Sequence, residues 1–259
     1  MAENDVLRFE RRANHVVLTL NRPEKRNALN GAVFEALDRA FAAIEADKSI
    51  RAMVLRGEGA AFSSGVDLRE LEQVESSGGR WTVSPPEAFR RLEALPIPTI
   101  AAVQGATLTG GLVLALLCDL RVAAENAGLG MTPARIGRVP EYFVFRKFIA
   151  VIGPAHTAEI MYTAAPIAAK RAYEIGLVDR VVADERLATE AEAMAERIAA
   201  NAPLSLRAMK ASIRRCLSDT YNAAHEDIDE MRKAVLGSRD GKEGVRAFLE
   251  KRKPVWSGE

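Results

Sequence analysis

Apolar residues in the first half of the chain switch between two spacings. HVVLTLNRP, residues 15 to 23, alternates as a strand does and stops at a proline; GAVFEALDRAFAAIEAD carries apolar residues at helical spacing; RAMVLRGEG is a second strand that ends in glycines. The pattern predicts a strand-helix-strand rhythm. PTIAAVQG continues it as a buried strand, and GATLTGGLVLALLCDL, residues 105 to 120, opens an apolar helix at the pair Gly110-Gly111. DLRVAAENAGLGM reads as a short strand and turn, and VFRKFIAVIG, GPAHTAEIMYTA and AAKRAYEIG read as helices. VDRVV follows as a strand and LATEAEAMAERIAANA as a long amphipathic helix, and everything after Pro203 reads as helical. ESSGGRWTVSPPEAF, residues 75 to 89, reads as a mobile loop, a kind of segment able to cover a site.

Composition narrows the classes. A chain of 259 residues that is 48% hydrophobic supports a large buried core, which excludes a disordered protein. Lys and Arg number 36 against 35 acids, so no overall field draws nucleic acid or an anionic membrane, and an anionic ligand needs a local patch. Cys118 in an apolar run and Cys216 in a basic stretch argue against a disulfide framework and for a reducing compartment. MAENDVLRFERR lacks an apolar signal core, and the run Leu112 to Leu117 is too short to span a bilayer. A soluble, cytoplasmic protein is therefore expected. His15, His156 and His225 lack metal-ligand spacing, so no metal site is expected.

Three segments carry candidate chemistry. AFSSGVDLREL, residues 61 to 71, leaves a strand, turns on Ser63-Ser64-Gly65 and enters a helix with Asp67 in its first turn. TGGLV has the same form. Either alone is an ordinary polar-capped turn. Together they place backbone N–H groups at the ends of neighbouring strands, as an oxyanion hole requires. NRPEKRNALN, residues 21 to 30, sets three positive charges around a proline turn, either as a solvated loop or as a phosphate clamp.

Taken in order, NRPEKRNALN, AFSSGVDL, AAVQGATLTGGLVLALLCDLRVAAENA, EIGLVDRVV and FLEKRKP resemble the crotonase family, which includes enoyl-CoA hydratases and isomerases, from about Val16 to Pro254. The resemblance implies an α/β fold. Residues 1–200 would form a crotonase-like spiral of ββα units and residues 201–259 a C-terminal helical trimerisation region, assembled as a homotrimer or homohexamer. It further implies an acyl-CoA substrate carried through a thioester enolate, with coenzyme A as part of the substrate and no other cofactor. By position, Val66 and Gly110 match the two oxyanion N–H donors. Lys25, Arg26 and Ala28 match the loop along the CoA phosphates and adenine, and Ser64, Asp67 and Leu68 match the adenine pocket. Lys251 in FLEKRKP resembles a tail lysine that reaches CoA, in related enzymes often from a neighbouring subunit.

The sequence departs from the hydratase pattern where chemistry is decided. Hydratases of this family use two glutamates to activate water and deliver a proton, and those positions hold Val113 and Pro133. The next carboxylate is Glu141 in IGRVPEYF, four residues after Gly137. Its position resembles that of the working acid in 3-enoyl to 2-enoyl-CoA isomerases. A single carboxylate suffices to take a proton from C2 and return it to C4. An acid there also suits the start of the following helix. As an alternative, MTPARIG, TAAPIAAKRAYEIGLVDRVV and AFLEKRKP resemble methylmalonyl-CoA decarboxylase, whose chemistry needs no base, although the chain departs from it at Val113 and Val66. A third reading, a weakly catalytic CoA- or RNA-binding relative, rests on the basic segment RAMKASIRR, residues 207 to 215. That segment has no interleaved aromatics, so no nucleic-acid partner is expected.

Overall fold

The computed structural model describes residues 6–218, 230, 234, 237–250 and 252–259. Strands β1 (Leu7–Arg11) and β2 (His15–Leu20) pair antiparallel and lead into helix α1 (Gly31–Ala46), a first ββα unit. The chain continues through β3 (Ala52–Gly57), α2 (Leu68–Ser76), α3 (Pro85–Ala94), β4 (Thr99–Val103), β5 (Ala106–Leu108), α4 (Gly110–Leu117), β6 (Leu120–Ala124) and β7 (Gly128–Gly130). It then passes through α5 (Tyr142–Thr163), β8 (Ile167–Ala168), α6 (Ala169–Glu174), β9 (Arg180–Val182), α7 (Leu187–Ala199), α8 (Pro203–Ser218) and a terminal helix, Arg239–Leu249.

Two sheets result. The larger has the order β1-β2-β3-β4-β6-β9, parallel after the first pair, and the smaller joins β5, β7 and β8. The period of two along the strands divides the core. Val16, Leu18, Leu20, Met53, Leu55, Ala101, Val103 and Ala123 face the layer built from α1, α3, α4 and α5. Their alternates Val17, Val54, Ile100, Ala102, Val122 and Ala124 face Leu187, Ala191, Met194, Ala195 and Ala199 of α7. Because helices cover both faces, all six residues of β2 are buried, and the alternation expected of HVVLTL is a continuous buried run. Fully buried Phe34, Phe41, Phe62 and Phe148 each contribute about 1.5–3 kcal/mol of transfer free energy.

Three sequence expectations need correction. The loop expected over 75–89 is shorter, because α2 runs to Ser76 and α3 begins at Pro85. Proline at the first helical position loses no needed N–H, and Ser84 and Glu87 form a reciprocal capping box. The helix expected to contain Asp67 in its first turn instead begins at Leu68, with Asp67 as its N-cap residue. The chain after Pro203 is not wholly helical, since residues 252–259 fold back without helix. There Trp256 Nε1 donates to Ala200 O (2.6 Å), and Ser257 and Gly258 N–H groups donate to Asp240. VFRKFIAVIG and GPAHTAEIMYTA are the two arms of α5, broken at Gly153, whose φ of 73° only glycine adopts readily. No helix among the described residues is long and apolar enough to cross a membrane.

Candidate active site

The site forms where three connections meet. The segment after β2 makes a 3-10 turn over Pro23–Lys25, then takes left-handed conformations at Arg26 and Asn27. Asn27 is buried and fully used. Its Oδ1 accepts from Arg22 N (2.8 Å), its Nδ2 donates to Glu58 O (2.9 Å) and Ala61 O (2.7 Å), and its carbonyl accepts from Ser63 Oγ (2.8 Å). An amide tied on both sides holds the 22–28 loop against the turn at 58–65. Ser64 N–H donates to Arg26 O (2.9 Å), and Arg22 reaches Ala28 O (2.6 Å) and Asp67 Oδ2 (3.4 Å). Lys25, Arg26, Ala28, Ser64, Asp67 and Leu68 therefore belong to one surface. Lys25 and Arg26 are exposed, and Leu68 stands half open to solvent. Lys251 lies outside the described residues.

The two expected donors lie side by side. Leu29 N–H donates to Gly65 O and Asp67 N–H donates to Leu29 O (both 2.8 Å), a parallel bridge that brackets Val66 and turns its own N–H away from Leu29. Gly110 begins α4, where the first N–H groups have no acceptor within the helix. No acceptor among the described residues takes either N–H. A Cβ built on Gly110 would lie 3.3 Å from Val66 N, so the two backbones run close to each other. Val113 in the first turn of α4 is buried, and Pro133 opens the 3-10 turn Pro133–Ile136.

Glu141 stands at the N-cap position of α5, and its side chain accepts nothing from the first turn. Its carboxylate is 52% exposed and lies 4.0 Å from Arg90 Nη2. Arg138 ties the preceding turn to α2 with two bonds to Glu75 (2.8 and 2.6 Å), which hold that carboxyl below the usual range. Behind Glu141, Phe143 packs on Phe89, and Phe89 and Trp81 both meet Phe34 edge-on. Trp81 thus pins the segment between α2 and α3 to α1.

Sequence reasoning missed the structural parts of this arrangement. Asn27 lay inside a motif read only for its charges, although asparagine tolerates the left-handed region and pairs with its own backbone neighbours. Thr109, at φ 47°, has no sequence signature at all. In the basic stretch 207–215, Lys210 is buried with Nζ on Asp119 Oδ2 (2.7 Å), and Arg214 reaches Ala94 O (3.4 Å). Among the described residues no group of His, Cys, Asp and Glu is placed to hold a metal ion.

Two N–H groups that no described acceptor takes lie close together at two interlocked turns beside a cationic loop, an arrangement able to hold a negatively charged oxygen. The chain belongs to the enoyl-CoA hydratase/isomerase family, the crotonase superfamily, whose family model matches residues 10–259. It is similar to the short-chain-enoyl-CoA hydratase of Clostridium acetobutylicum, with 33% identity over 98% of this chain and 97% of that protein. It is also similar to the crotonyl-CoA hydratase of Syntrophomonas wolfei, with 33% identity over 97% of this chain and 96% of that protein. Among solved structures, an enoyl-CoA hydratase/carnithine racemase from Magnetospirillum magneticum superposes with a TM-score of 0.92 at 36% identity, covering 99% of this chain and 97% of that one. The fold is the crotonase fold, and the protein is a crotonase-family acyl-CoA enzyme.

Proposed function

We propose that this enzyme isomerises 3-enoyl-CoA to 2-enoyl-CoA thioesters, with the Val66 and Gly110 N–H groups holding the enolate oxygen and Glu141 carrying the proton from C2 to C4. The observation that carries the reading is the side-by-side approach of two unclaimed N–H donors, joined to a first turn of α4 that has Val113 and no acid. Enolate chemistry needs the donors in every case, and the buried Val113 leaves proton transfer to a group outside α4. Glu141 suits that task because its carboxylate is not engaged in capping α5. Coenzyme A enters as part of the substrate, its phosphates along Lys25 and Arg26 and its adenine at Ala28, Ser64, Asp67 and Leu68. Residues 1–200 form the catalytic spiral in this reading. Residues 201–259 supply contacts of a homotrimer or homohexamer and carry Lys251 to the CoA.

Hydration is the second reading, favoured by the names of the relatives. In this chain Glu141 would then be the remaining acid, since Val113 and Pro133 stand at the two glutamate positions.

Glu141→Gln tests the proposal, because it keeps size and removes the base. Wild type and variant are assayed on a 3-enoyl-CoA, a 2-enoyl-CoA and a methylmalonyl-type CoA ester, with acyl-CoA binding measured in parallel. Isomerase activity that collapses in the variant while binding persists supports the reading. Wild-type action on the 2-enoyl-CoA alone favours hydration. Carbon dioxide release that survives the substitution favours decarboxylation.

A further inference from the structure

Thr109 combines two features that seldom meet. It is β-branched, and it has φ 47° and ψ −117°, a region such residues enter only under strain. It is also the N-cap residue of α4, yet its hydroxyl makes no capping bond, although capping is the usual reason for a threonine at that position. Its groups point elsewhere. Thr109 N–H donates to Gly130 O on β7 (2.8 Å), its carbonyl accepts from Val113 N (2.9 Å), and its hydroxyl reaches across to Ser64 O (3.4 Å).

The partner of this strain is Gly65. A Cβ built on Gly65 would overlap Thr109 Oγ1, so the threonine hydroxyl fills the notch that the glycine leaves. Gly65 has φ 98°. Each proposed donor is thus preceded by a residue with positive φ, and these two residues interlock. The N–H of Gly110 lies in the peptide plane between residues 109 and 110, so the ψ of Thr109 sets its direction. The N–H of Val66 is set in the same way by Gly65.

We propose that Thr109 is a positioning residue for the oxyanion hole: its strained backbone aims the Gly110 N–H, and its side chain, wedged against Gly65, fixes the spacing between the two donors. The inference rests on the enolate reading above. It assigns Thr109 no contact with substrate. The strain persists because bonds to β7, α4 and the Ser63–Gly65 turn together hold the residue in place.

The test compares Thr109→Gly, Thr109→Ser and Gly110→Pro by kinetics, thermal unfolding and the infrared carbonyl band of a bound, carbon-13-labelled acyl-CoA thioester. The band reports hydrogen bonding at the thioester oxygen whichever reaction follows. Glycine accepts the dihedrals of residue 109 without strain and deletes the wedge. Thr109→Gly should therefore keep or raise the unfolding midpoint, shift the carbonyl band toward its unbound position and lower kcat by about 10- to 100-fold, the scale of a small misplacement, while KM changes little. Thr109→Ser retains Oγ and should recover most of the loss. Wild-type kcat and band position in Thr109→Gly, with Gly110→Pro impaired, would overturn the inference and leave the oxyanion reading standing. A parallel fall in midpoint and kcat would also overturn it, because the role would then be structural alone. If neither variant moves the band or kcat, the oxyanion reading itself fails.

Discussion

Lys210 Nζ lies 2.7 Å from Asp119 Oδ2, joining α8 to the turn between α4 and β6. The lysine is buried and donates as well to Ile97 O (2.8 Å), while Asp119 accepts from Thr99 N–H (2.8 Å) and Thr99 Oγ1 (3.0 Å). Burial pulls the ammonium below the ordinary lysine range, and Asp119 opposes that pull. Removing one partner leaves the other charge buried and unpaired. Asp119→Ala should therefore destabilise by about 3 kcal/mol, at the low end for such pairs because Asp119 is partly open to water. Lys210→Met should be milder, since the two Thr99 donors remain on Asp119. Urea unfolding of both variants and the double mutant checks the order.

Gly110→Pro deletes one N–H at a position where proline suits the first turn of a helix. Turnover should fall by about two to three powers of ten, the effect of losing one oxyanion donor, with the circular dichroism spectrum retained. The added Cβ meets Val66 Cγ2 at 3.1 Å, so a small local shift accompanies the loss. A folded variant with wild-type turnover would remove Gly110 from the mechanism.

Replacing Lys25 and Arg26 together with alanine should weaken binding of acyl-CoA far more than binding of a CoA-free thioester analogue. Both side chains are exposed, so the wild-type preference should itself shrink as salt rises. Titration calorimetry at two ionic strengths separates this from a general loss of affinity, which would reduce both ligands equally.

His15 offers a pH test remote from catalysis. It is buried at the start of β2, its Nε2 has no hydrogen-bond partner among the described residues, and Glu192 Oε2 lies 3.9 Å away. Burial lowers its pKa, with Glu192 and Glu196 opposing and Arg12 and Arg11 assisting. A lowered value means that the unfolded chain takes the proton first. The contribution is whole above the unfolded value of 6.5 and is lost as pH falls from there toward the folded pKa, at up to about 1.4 kcal/mol per pH unit. His15→Gln should flatten that part of the stability profile as pH falls below 6.5. An unchanged slope in denaturant unfolding would assign the acid loss to other groups.

The parts of the molecule legible in sequence are those where one local signal matches one element. GAVFEALDRAFAAIEAD and LATEAEAMAERIAANA form α1 and α7 because their apolar residues repeat at the helical period and nothing interrupts them. LRFER goes unread because five residues with three charges make a strand only when β2 supplies the pairing. The start of α3 was written in Ser-Pro-Pro-Glu, a capping box preceded by enough serine and glycine to resemble loop. The site divides in the same way. Its glycines and cations stand out in the sequence, whereas the interlock of Thr109 with Gly65 joins residues far apart in the chain through dihedral angles that no composition records.

The layering of the large sheet has a consequence for biosynthesis. Its strands join in chain order, and α1, α3 and α4 reach the first face before α5 completes it, whereas the second face has no helix until α7. A nascent chain that has passed Ala124 and not yet completed Ala199 carries Val17, Val54, Ile100 and Val122 bare on a nearly finished surface. That exposed apolar surface is open to aggregation, and a chaperone acting on the ribosome would cover the face that α7 later fills.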